Sequence, residues 1–137
     1  MNNMASVETH SETYYMRNIR HRRSYVLFEG DDAFLALRLL REAGMRVLYV
    51  YELQVGAQSR GHGAGSRLLE KAGRLCTRAR CEAIMLTCAK ANAAALRFYA
   101  KHGFVHAPHS PSPDDPEPYY ILVKRISEDD ENSSSDY

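Results

Sequence analysis

The sequence lacks several features that would place it in an easily recognised class. Its three cysteines, Cys76, Cys81 and Cys88, are odd in number and include no CxxC pair, so we expect reduced thiols and no disulfide framework. No apolar run approaches the roughly 20 residues that a membrane-spanning helix needs. Residues 1–11 are polar and lack the apolar core of a secretory signal. We therefore expect a soluble intracellular protein without a membrane segment.

A large excess of charge of one sign is also missing. Eighteen Lys and Arg residues stand against 17 Asp and Glu residues, a formal net charge of +1, whereas nucleic-acid-binding domains usually carry a clear positive excess. Every basic residue precedes Ser127, so residues 1–126 carry 18 basic and 12 acidic residues, and five acidic residues fall in the last eleven. We expect no direct nucleic-acid binding. The segment 127–137 is predicted to be a disordered acidic tail, with long-range steering of a basic partner as the alternative.

A metal site is not indicated either. His102, His106 and His109 are loosely spaced, and no cysteine or carboxylate stands at ligand spacing beside them, so ordinary surface histidines are expected.

What is present suffices for one folded domain. The chain has 137 residues, of which 45% are hydrophobic, and this matches the common size of a single domain. We predict a loosely ordered basic segment over residues 1–23, a folded domain over residues 24–126 and the acidic tail after it. Strands are predicted at Ser24–Glu29, Val47–Val55, Glu82–Cys88, Phe104–His106 and Tyr119–Ile126, and helices at Ser66–Arg80 and Asn92–His102. This order predicts an α/β domain with at least one parallel strand pair.

One segment, Ala33–Ala43, has two interpretations. Its helix-forming residues, the possible cap at Asp31 or Asp32 and the following Gly44 favour a helix. A strand that turns back into Val47–Val55 is the alternative, because local propensity is a weak guide that tertiary context often overrides.

The segment Gln58–Gly65 carries the chemistry. It leaves a predicted buried strand, enters a helix and contains Gly61, Gly63 and Gly65, a context in which helix N-terminal amides bind phosphate. Arg60 adds a cation. A tight turn that needs glycine only for its dihedral angles is the alternative. The spacing excludes a Walker A loop, and a dinucleotide fingerprint would need an acidic residue near position 81, which is Cys81.

Two motifs together resemble the GCN5-related N-acetyltransferase (GNAT) superfamily. Gln58–Gly63 matches its Q/R-x-x-G-x-G/A motif, and Asn92-x-x-Ala95-x-x-Phe98-Tyr99 followed by Gly103-Phe104 matches its next helix. The resemblance implies an α/β (α+β) fold with a mixed central sheet and flanking helices. It also implies a shortened or missing N-terminal strand–helix–helix portion, because only 23 residues precede the first clear strand. Acetyl-CoA is implied as co-substrate, without a metal.

A narrower resemblance is to the N-alpha-acetyltransferase D branch. It rests on Leu48–Val55 (LYVYELQV), Thr87–Tyr99 (TCAKANAAALRFY) and Ser110–Arg125 (SPSPDDPEPYYILVKR). It implies a strand over Ala33–Leu40, and it implies as substrate the N-termini of histones four and two-A, which begin Ser-Gly-Arg-Gly. Leu40 departs from the branch, which has an acidic residue there.

Two residues are predicted to be catalytic. Glu52 is a charged residue in an apolar strand next to the glycine-containing loop and is the candidate base, with an ion pair to Arg46 as the structural alternative. Tyr99 stands where the superfamily places a tyrosine that protonates the leaving thiolate, with core packing as the alternative.

The remaining site residues are expected to bind cofactor or peptide. The cofactor set comprises Leu53, Val55, Gln58, Arg60, Gly61, His62, Gly63, Ala64, Gly65 and Asn92, where Asn92 also caps its helix and a backbone N–H near Leu53 or Val55 binds the thioester oxygen. Tyr51 and Tyr119 match tyrosines near the peptide N-terminus in the resembled branch. Asp114 and Asp115 form a candidate acidic lip for a basic tail.

The sequence thus predicts a monomeric acetyl-CoA-dependent enzyme of the nucleus and cytoplasm that acetylates histone N-termini. A GNAT enzyme for another peptide, a lysine or a small amine is one alternative. A non-catalytic acyl-CoA-binding or chromatin-interaction module is the other.

Overall fold

A computed structural model describes residues 4–9, 12–19 and 22–126 of the chain. The strands are β1 (Met4–Thr9), β2 (Glu12–Ile19), β3 (Arg22–Glu29), β4 (Ala33–Glu42), β5 (Met45–Val55), β6 (Ala83–Ala89), β7 (Val105–His106) and β8 (Tyr119–Arg125). The helices are α1 (Ala64–Arg78) and α2 (Ala93–Lys101).

All eight strands form one sheet in the order β1-β2-β3-β4-β5-β6-β8-β7. Neighbours are antiparallel except β5 and β6, which run parallel and are joined through α1, as a parallel pair requires a crossover. The predicted mixed sheet with flanking helices and one parallel pair is confirmed.

The ambiguous segment Ala33–Ala43 is a strand. Ala33, Leu35 and Leu37 are buried at every second position of β4, so one face of the strand joins the core. The reversal into β5 uses Ala43 (φ 52°) and Gly44 (φ 77°), the two positive φ angles that a tight two-residue hairpin prefers. The residue that local propensity reads as a helix stop therefore serves a hairpin, and the strand implied by the resemblance is confirmed.

The N-terminal segment differs from the prediction. Loose order was expected over residues 1–23, whereas β1 and β2 lie there as an antiparallel hairpin, and β2 pairs with β3. The edge of β3 offers main-chain hydrogen-bonding groups with which β2 pairs. Local sequence patterns do not report such a contact between strands. Among the described residues no helix precedes α1. The predicted acidic tail 127–137 lies outside the described residues.

Helix α1 covers one side of the sheet, here called the helix face. Its apolar stripe, including Leu68, Leu69, Ala72 and Leu75, is buried against β3 to β6. The opposite side, here called the far face, holds a smaller cluster around Val47, Ala83, Met85, Ala107 and Val123. Strand β5 contributes side chains to both faces, and the candidate site lies beside this strand.

The three cysteines are free and buried.

Candidate active site

The loop between β5 and α1 ends in a bare helix N-terminus. This glycine loop (residues 56–63) includes Gly61 at φ 79° and Gly63 at φ 77°, and Gly63 is the N-cap of α1 without a side-chain cap hydrogen bond. The first turn of α1 contains no acidic residue. The first amides of a helix have no partner within the helix, and its dipole is positive at this end. The loop therefore provides the chemistry of an anion site.

A cleft of about 720 Å³ opens above this helix end, between the end of β5, the glycine loop and α2. We call it the glycine-loop cleft. Its lining residues are Leu53, Val55, Ser59, Arg60, Gly61, Gly63, Ala64, Gly65, Ser66, Asn92, Ala94, Ala95, Phe98 and Tyr99. Eight of the ten predicted cofactor-binding residues and Tyr99 are thus brought together. Gln58 and His62 do not line the cleft.

The two exceptions hold the loop in shape through their backbones. The Gln58 N–H donates to the Asp32 carboxylate, and the His62 carbonyl accepts from Arg67 Nη1 at 2.7 Å. Arg60, the predicted cation, donates from Nε to the Val55 carbonyl at 3.2 Å, so it crosses the base of the loop.

Gly65 sets the shape of the cleft. A Cβ added there would lie 3.1 Å from Cζ of Phe98, closer than side chains usually pack, so the absence of a side chain at residue 65 allows the first turn of α1 to approach the aromatic ring of α2. Asn92 caps α2, as predicted, by accepting from the Ala95 N–H at 3.1 Å. The two helices therefore open their N-terminal ends onto the same cleft.

Tyr99 lies in the cleft with a protonated side chain. Its ring contacts Phe98 and Phe104, with centroids 5.3 and 5.5 Å apart. Burial raises the pKa of the Tyr99 phenol, and the neighbouring Cys88 raises it further. A raised pKa keeps the O–H intact at neutral pH, so Tyr99 can donate a proton. The surroundings of Tyr99 therefore fit both of its predicted roles, apolar packing and proton donation.

A second polar pair lies at the edge of the cleft. The Ser66 hydroxyl and His102 Nε2 are 2.9 Å apart. Burial lowers the pKa of the His102 imidazole, and the nearby Lys124 and Lys101 lower it further, so the ring is neutral at neutral pH. Sequence reasoning missed Ser66 although it directly follows the glycine-rich segment.

Strand β5 contains a bulge beside the cleft. Leu37 pairs with Val50, whereas Ala36 pairs with Glu52, so Tyr51 is an extra residue. Val50 and Leu53 both belong to the helix-face core. Tyr51 instead contacts the far-face ring of Tyr49 at 5.5 Å. A bulge shifts the side-chain alternation by one residue, and Tyr51 and Glu52 are therefore both turned away from the helix face.

The sheet also opens at this level. The pairing of β5 with β6 ends at Val50 and Leu86, and beyond this point β6 pairs only with β8. The ends of β5 and β6 are thus separated where the glycine-loop cleft meets the sheet. This gap connects the helix face with the surface that carries Tyr51 and Glu52.

The environment of Glu52 differs from the prediction. An embedded carboxylate was expected, with Arg46 as the alternative partner, but Glu52 is exposed and accepts from Gln54 Nε2 at 2.7 Å. Arg46 lies at the other end of β5, where its N–H donates to Glu82. The bulge is the reason, since it turns the carboxylate out of the apolar face. Glu52 is therefore a solvated group at the gap.

A second cleft, of about 690 Å³, lies on the far face. We call it the far-face cleft, and its lining residues are Leu39, Leu40, Arg41, Glu42, Tyr49, Tyr51, Met85, His109 and Ile121. Of the predicted peptide-binding residues, only Tyr51 is among them. The Arg38 guanidinium lies 4.5 Å from the centre of its ring.

The other predicted peptide-binding residues lie elsewhere. Tyr119 begins β8 opposite Ala89. Asp115 accepts from the Ser112 N–H at 2.8 Å, and this hydrogen bond holds the pKa of its carboxyl below the usual range. Asp114 is exposed in the same loop.

Sequence reasoning also missed an ion pair that joins β3 to α1. Glu29 contacts Arg67 at 2.6 Å and Lys71 at 2.7 Å, and the hydrogen bond from Lys71 lowers the pKa of the Glu29 carboxyl, with a further contribution from Arg67. Because Arg67 also holds the His62 carbonyl, Glu29 supports the end of the glycine loop. Only the spacing of Arg67 and Lys71 on one helix face hints at a shared partner.

Within the described part of the chain, no group of three or more His, Cys, Asp or Glu residues is arranged to hold a metal ion. None of the helices there is long and apolar enough to cross a membrane.

Comparison with known proteins places this geometry in a family. The Acetyltransferase (GNAT) family model matches residues 3–104. The chain belongs to this family. Over 99 residues, 66% of the chain, it is 40% identical to N-alpha-acetyltransferase 40 of Saccharomyces cerevisiae, and the match spans 32% of that protein.

Solved structures share the GNAT fold. The ribosomal-protein-S18-alanine N-acetyltransferase of Escherichia coli has a TM-score of 0.61 and 19% identity, with 93% of this chain and 95% of that chain covered. The NatC complex bound to Gag peptide and CoA has a TM-score of 0.60 and 21% identity, with 76% and 71% covered.

Proposed function

We propose that the protein is an acetyl-CoA-dependent N-alpha-acetyltransferase whose acceptor is the N-terminal amine of a histone-type peptide beginning Ser-Gly-Arg-Gly. The observation that carries the proposal is the gap between β5 and β6. It joins an anion-binding cleft with a proton donor, Tyr99, to a surface with an exposed carboxylate, Glu52. The 40% identity to N-alpha-acetyltransferase 40 supports the N-terminal amine as acceptor.

The residues of the glycine-loop cleft fit CoA. The amides of Gly61, Gly63 and Ala64 stand at the bare N-terminus of α1, where phosphate oxygens are favoured, and the Phe98 ring packs against Gly65 as part of the cleft wall. Leu53 and Val55 give the cleft an apolar wall. When bound, acetyl-CoA supplies an acetyl thioester, which an amine can attack.

Two side chains of the protein, Glu52 and Tyr99, accept and donate the protons of the reaction. A free α-amino group has a pKa of about 7.7–8.0, so a modest base suffices to neutralise it. Glu52 takes up that proton at its carboxylate, directly or through water. Tyr99 gives its phenolic proton to the sulfur that leaves as the amide forms. The ammonium group loses two protons in all: the first passes to Glu52 and on to solvent, and the second, lost from nitrogen as the amide forms, restores through water the phenolic proton that Tyr99 gave to the thiol. Each acetyl transfer thus releases one proton to solvent.

The far-face cleft is the proposed peptide site. Tyr51 lies at its edge beside Glu52, so a peptide seated there presents its N-terminus at the gap. Glu42 is the one carboxylate among the described lining residues, and it offers a contact for a basic side chain. Asp114, Asp115 and Tyr119 remain proposed contacts for a longer peptide. A histone substrate implies that the protein acts in the nucleus and cytoplasm.

A second acceptor class is favoured by one observation. Leu39, Leu40, Met85 and Ile121 make much of the far-face cleft apolar, which suits a peptide whose early residues are apolar. The fold and the proton chemistry are the same for both acceptors.

An acceptor panel tests the proposal. The pure chain is incubated with acetyl-CoA and one of four acceptors: a Ser-Gly-Arg-Gly peptide, its N-terminally blocked form, an N-terminal peptide with apolar early residues, and a polyamine. Mass spectrometry locates the acetyl group. We expect the α-amine of Ser-Gly-Arg-Gly to be modified fastest and the blocked form not at all. An equal rate on the blocked peptide or on the polyamine would contradict the N-terminal assignment, and cofactor binding without any transfer would indicate a non-catalytic module.

A further inference from the structure

The turn between β3 and β4 touches the glycine loop across a wide separation in sequence. Asp32, in this turn, contacts three residues at the start of the loop. Its backbone carbonyl accepts from the Gly56 N–H at 2.8 Å. Its carboxylate accepts from the Gln58 N–H at 3.2 Å and from the Ser59 hydroxyl. One side chain thereby fixes the conformation at which the chain leaves β5.

The contact is close enough to dictate a glycine. A Cβ on Gly56 would lie 2.3 Å from Oδ2 and 2.7 Å from Cβ of Asp32, distances that real side chains do not adopt. The loop therefore reaches Asp32 only because residue 56 has no side chain. Gly56 is not among the residues that line the cleft, so its role is the contact with Asp32.

The negative charge of Asp32 limits the ways in which this residue can support phosphate binding. A carboxylate near a phosphate site repels the ligand and on its own weakens binding. Asp32 directs its oxygens at the Gln58 amide and the Ser59 hydroxyl, and the residues that follow, Arg60 and Gly61, line the cleft. Because the negative charge of Asp32 repels a phosphate, Asp32 can support phosphate binding only through its hydrogen bonds to the glycine loop.

We propose that Asp32 is a positioning residue for acetyl-CoA binding, holding Gln58 and Ser59 so that the amides and side chains of the following loop residues face the cleft. This inference rests on the proposed function. Asp32 contacts no reacting atom. It acts by removing alternative conformations of the loop before the ligand arrives, which lowers the entropy lost on binding.

Three variants separate position from charge. Asp32→Ala removes the charge and both side-chain contacts. Asp32→Asn removes the charge, but its amide oxygen can still accept from the Gln58 N–H and its NH2 can donate to the Ser59 hydroxyl. Asp31→Ala is the matched control, because Asp31 is an exposed carboxylate in the same turn.

The measurement is the Kd of acetyl-CoA by calorimetry, paired with KM and kcat. We expect Asp32→Ala to raise Kd and the KM for acetyl-CoA by about tenfold, as hydrogen bonds to a charged group are lost. The kcat at saturation should change less than about twofold. Asp32→Asn should restore most of the affinity, and Asp31→Ala should leave Kd unchanged or slightly lower.

The contrary results are distinct. Tighter binding by both Asp32 variants would show that charge alone acts, and a lower melting temperature with unchanged Kd would show a purely structural role. If Asp32→Ala does not fold, Gly56→Ala, which displaces the loop from Asp32, must show the same rise in Kd. Absence of acetyl-CoA binding by the unaltered chain would overturn the proposed function itself.

Discussion

The two sides of strand β5 differ in how their residues come together. On the helix face, the glycine loop, Asn92 and Tyr99 converge on one cleft that contains most of the predicted cofactor residues. On the far face, Tyr51 lines a cleft that Tyr119, Asp114 and Asp115 do not line. The helix-face site is built from a continuous strand–loop–helix segment and one further helix, whereas the far-face surface depends on a bulge and on the Pro-rich loop of residues 108–118. Local motifs specify the first kind of site better than the second.

The largest effect is expected from a substitution that disrupts the glycine-loop cleft on the helix face. Gly65→Val places branched carbons against the Phe98 ring, which a Cβ alone would approach to 3.1 Å. Displacement of this kind by about 1 Å can cost about 100-fold in rate, and we expect kcat/KM to fall at least that far, with loss of acetyl-CoA binding.

Gly73→Ala is the control for that variant, since Gly73 lies in the same helix and a Cβ added there would meet nothing within 4 Å. It should leave activity unchanged and stabilise the protein by about 0.5–1 kcal/mol. Equal acetyl-CoA affinity in both variants would show that the cleft wall formed by Gly65 and Phe98 does not affect the ligand.

The next effect separates chemistry from binding on the same face. Tyr99→Phe keeps the ring contacts with Phe98 and Phe104 but removes the proton donor. We expect kcat to fall by about 100-fold while the Kd of acetyl-CoA, measured by calorimetry, stays within a factor of two or so. Because the phenol pKa is raised, Tyr99 stays protonated as the pH increases through neutrality. Activity should therefore rise with pH as the acceptor amine loses its proton, and an unchanged kcat in Tyr99→Phe would assign the residue to packing.

Glu52→Gln tests the role of the carboxylate that lies at the gap on the side away from the helix face. The exposed carboxylate is well solvated, so we expect a fall in kcat of about tenfold, below the 10²–10⁴ typical of buried general bases. The amide should shift the rising limb of the pH–rate profile to higher pH, because neutral amine must then come from solution. A profile identical in shape and height to that of the unaltered protein would remove Glu52 from the mechanism.

Much of this arrangement could be predicted from sequence, and the exceptions have physical causes. The strand–loop–helix around Gly61 and Gly63 carries its own dihedral and capping signals, so its location followed from local pattern. The strand at Ala33–Glu42 was available only through the resemblance, since its leucines and alanines favour a helix until neighbouring strands supply hydrogen bonds. The exposure of Glu52 depends on one extra residue at Tyr51, and the contacts of Asp32 and Glu29 span more than 25 positions, which no local pattern reports.

A smaller effect concerns the link between β3 and α1. Glu29→Gln removes the ion pairs with Arg67 and Lys71, and we expect about 0.5–1 kcal/mol of lost stability, as for a partly exposed network. The folded pKa of Glu29 lies below 4.5, so its contribution is complete above that pH and disappears as the pH falls through the folded pKa. Denaturant unfolding at pH 7 and pH 3 should therefore show a difference between variant and unaltered protein that shrinks at pH 3. A difference independent of pH would assign the loss to packing.

The smallest effect concerns the far face. Asp114 is exposed and does not line the far-face cleft, so its charge acts on a basic peptide only at a distance. Asp114→Asn should raise the KM for a Ser-Gly-Arg-Gly peptide by about twofold at low salt, and the difference should vanish near 1 M salt, where the screening length is about 3 Å. A change that survives high salt would place Asp114 in direct contact with the peptide.

The central claim is that the gap between β5 and β6 joins the two faces into one acetyl-transfer site. A conjugate that links CoA through an acetyl group to the α-amine of Ser-Gly-Arg-Gly tests it directly, because it must occupy both faces at once. We predict that calorimetry will give a Kd for the conjugate at least about 100-fold below that of CoA, the gain expected when two binding events are linked in the correct geometry. A conjugate that binds no more tightly than CoA itself would contradict the account.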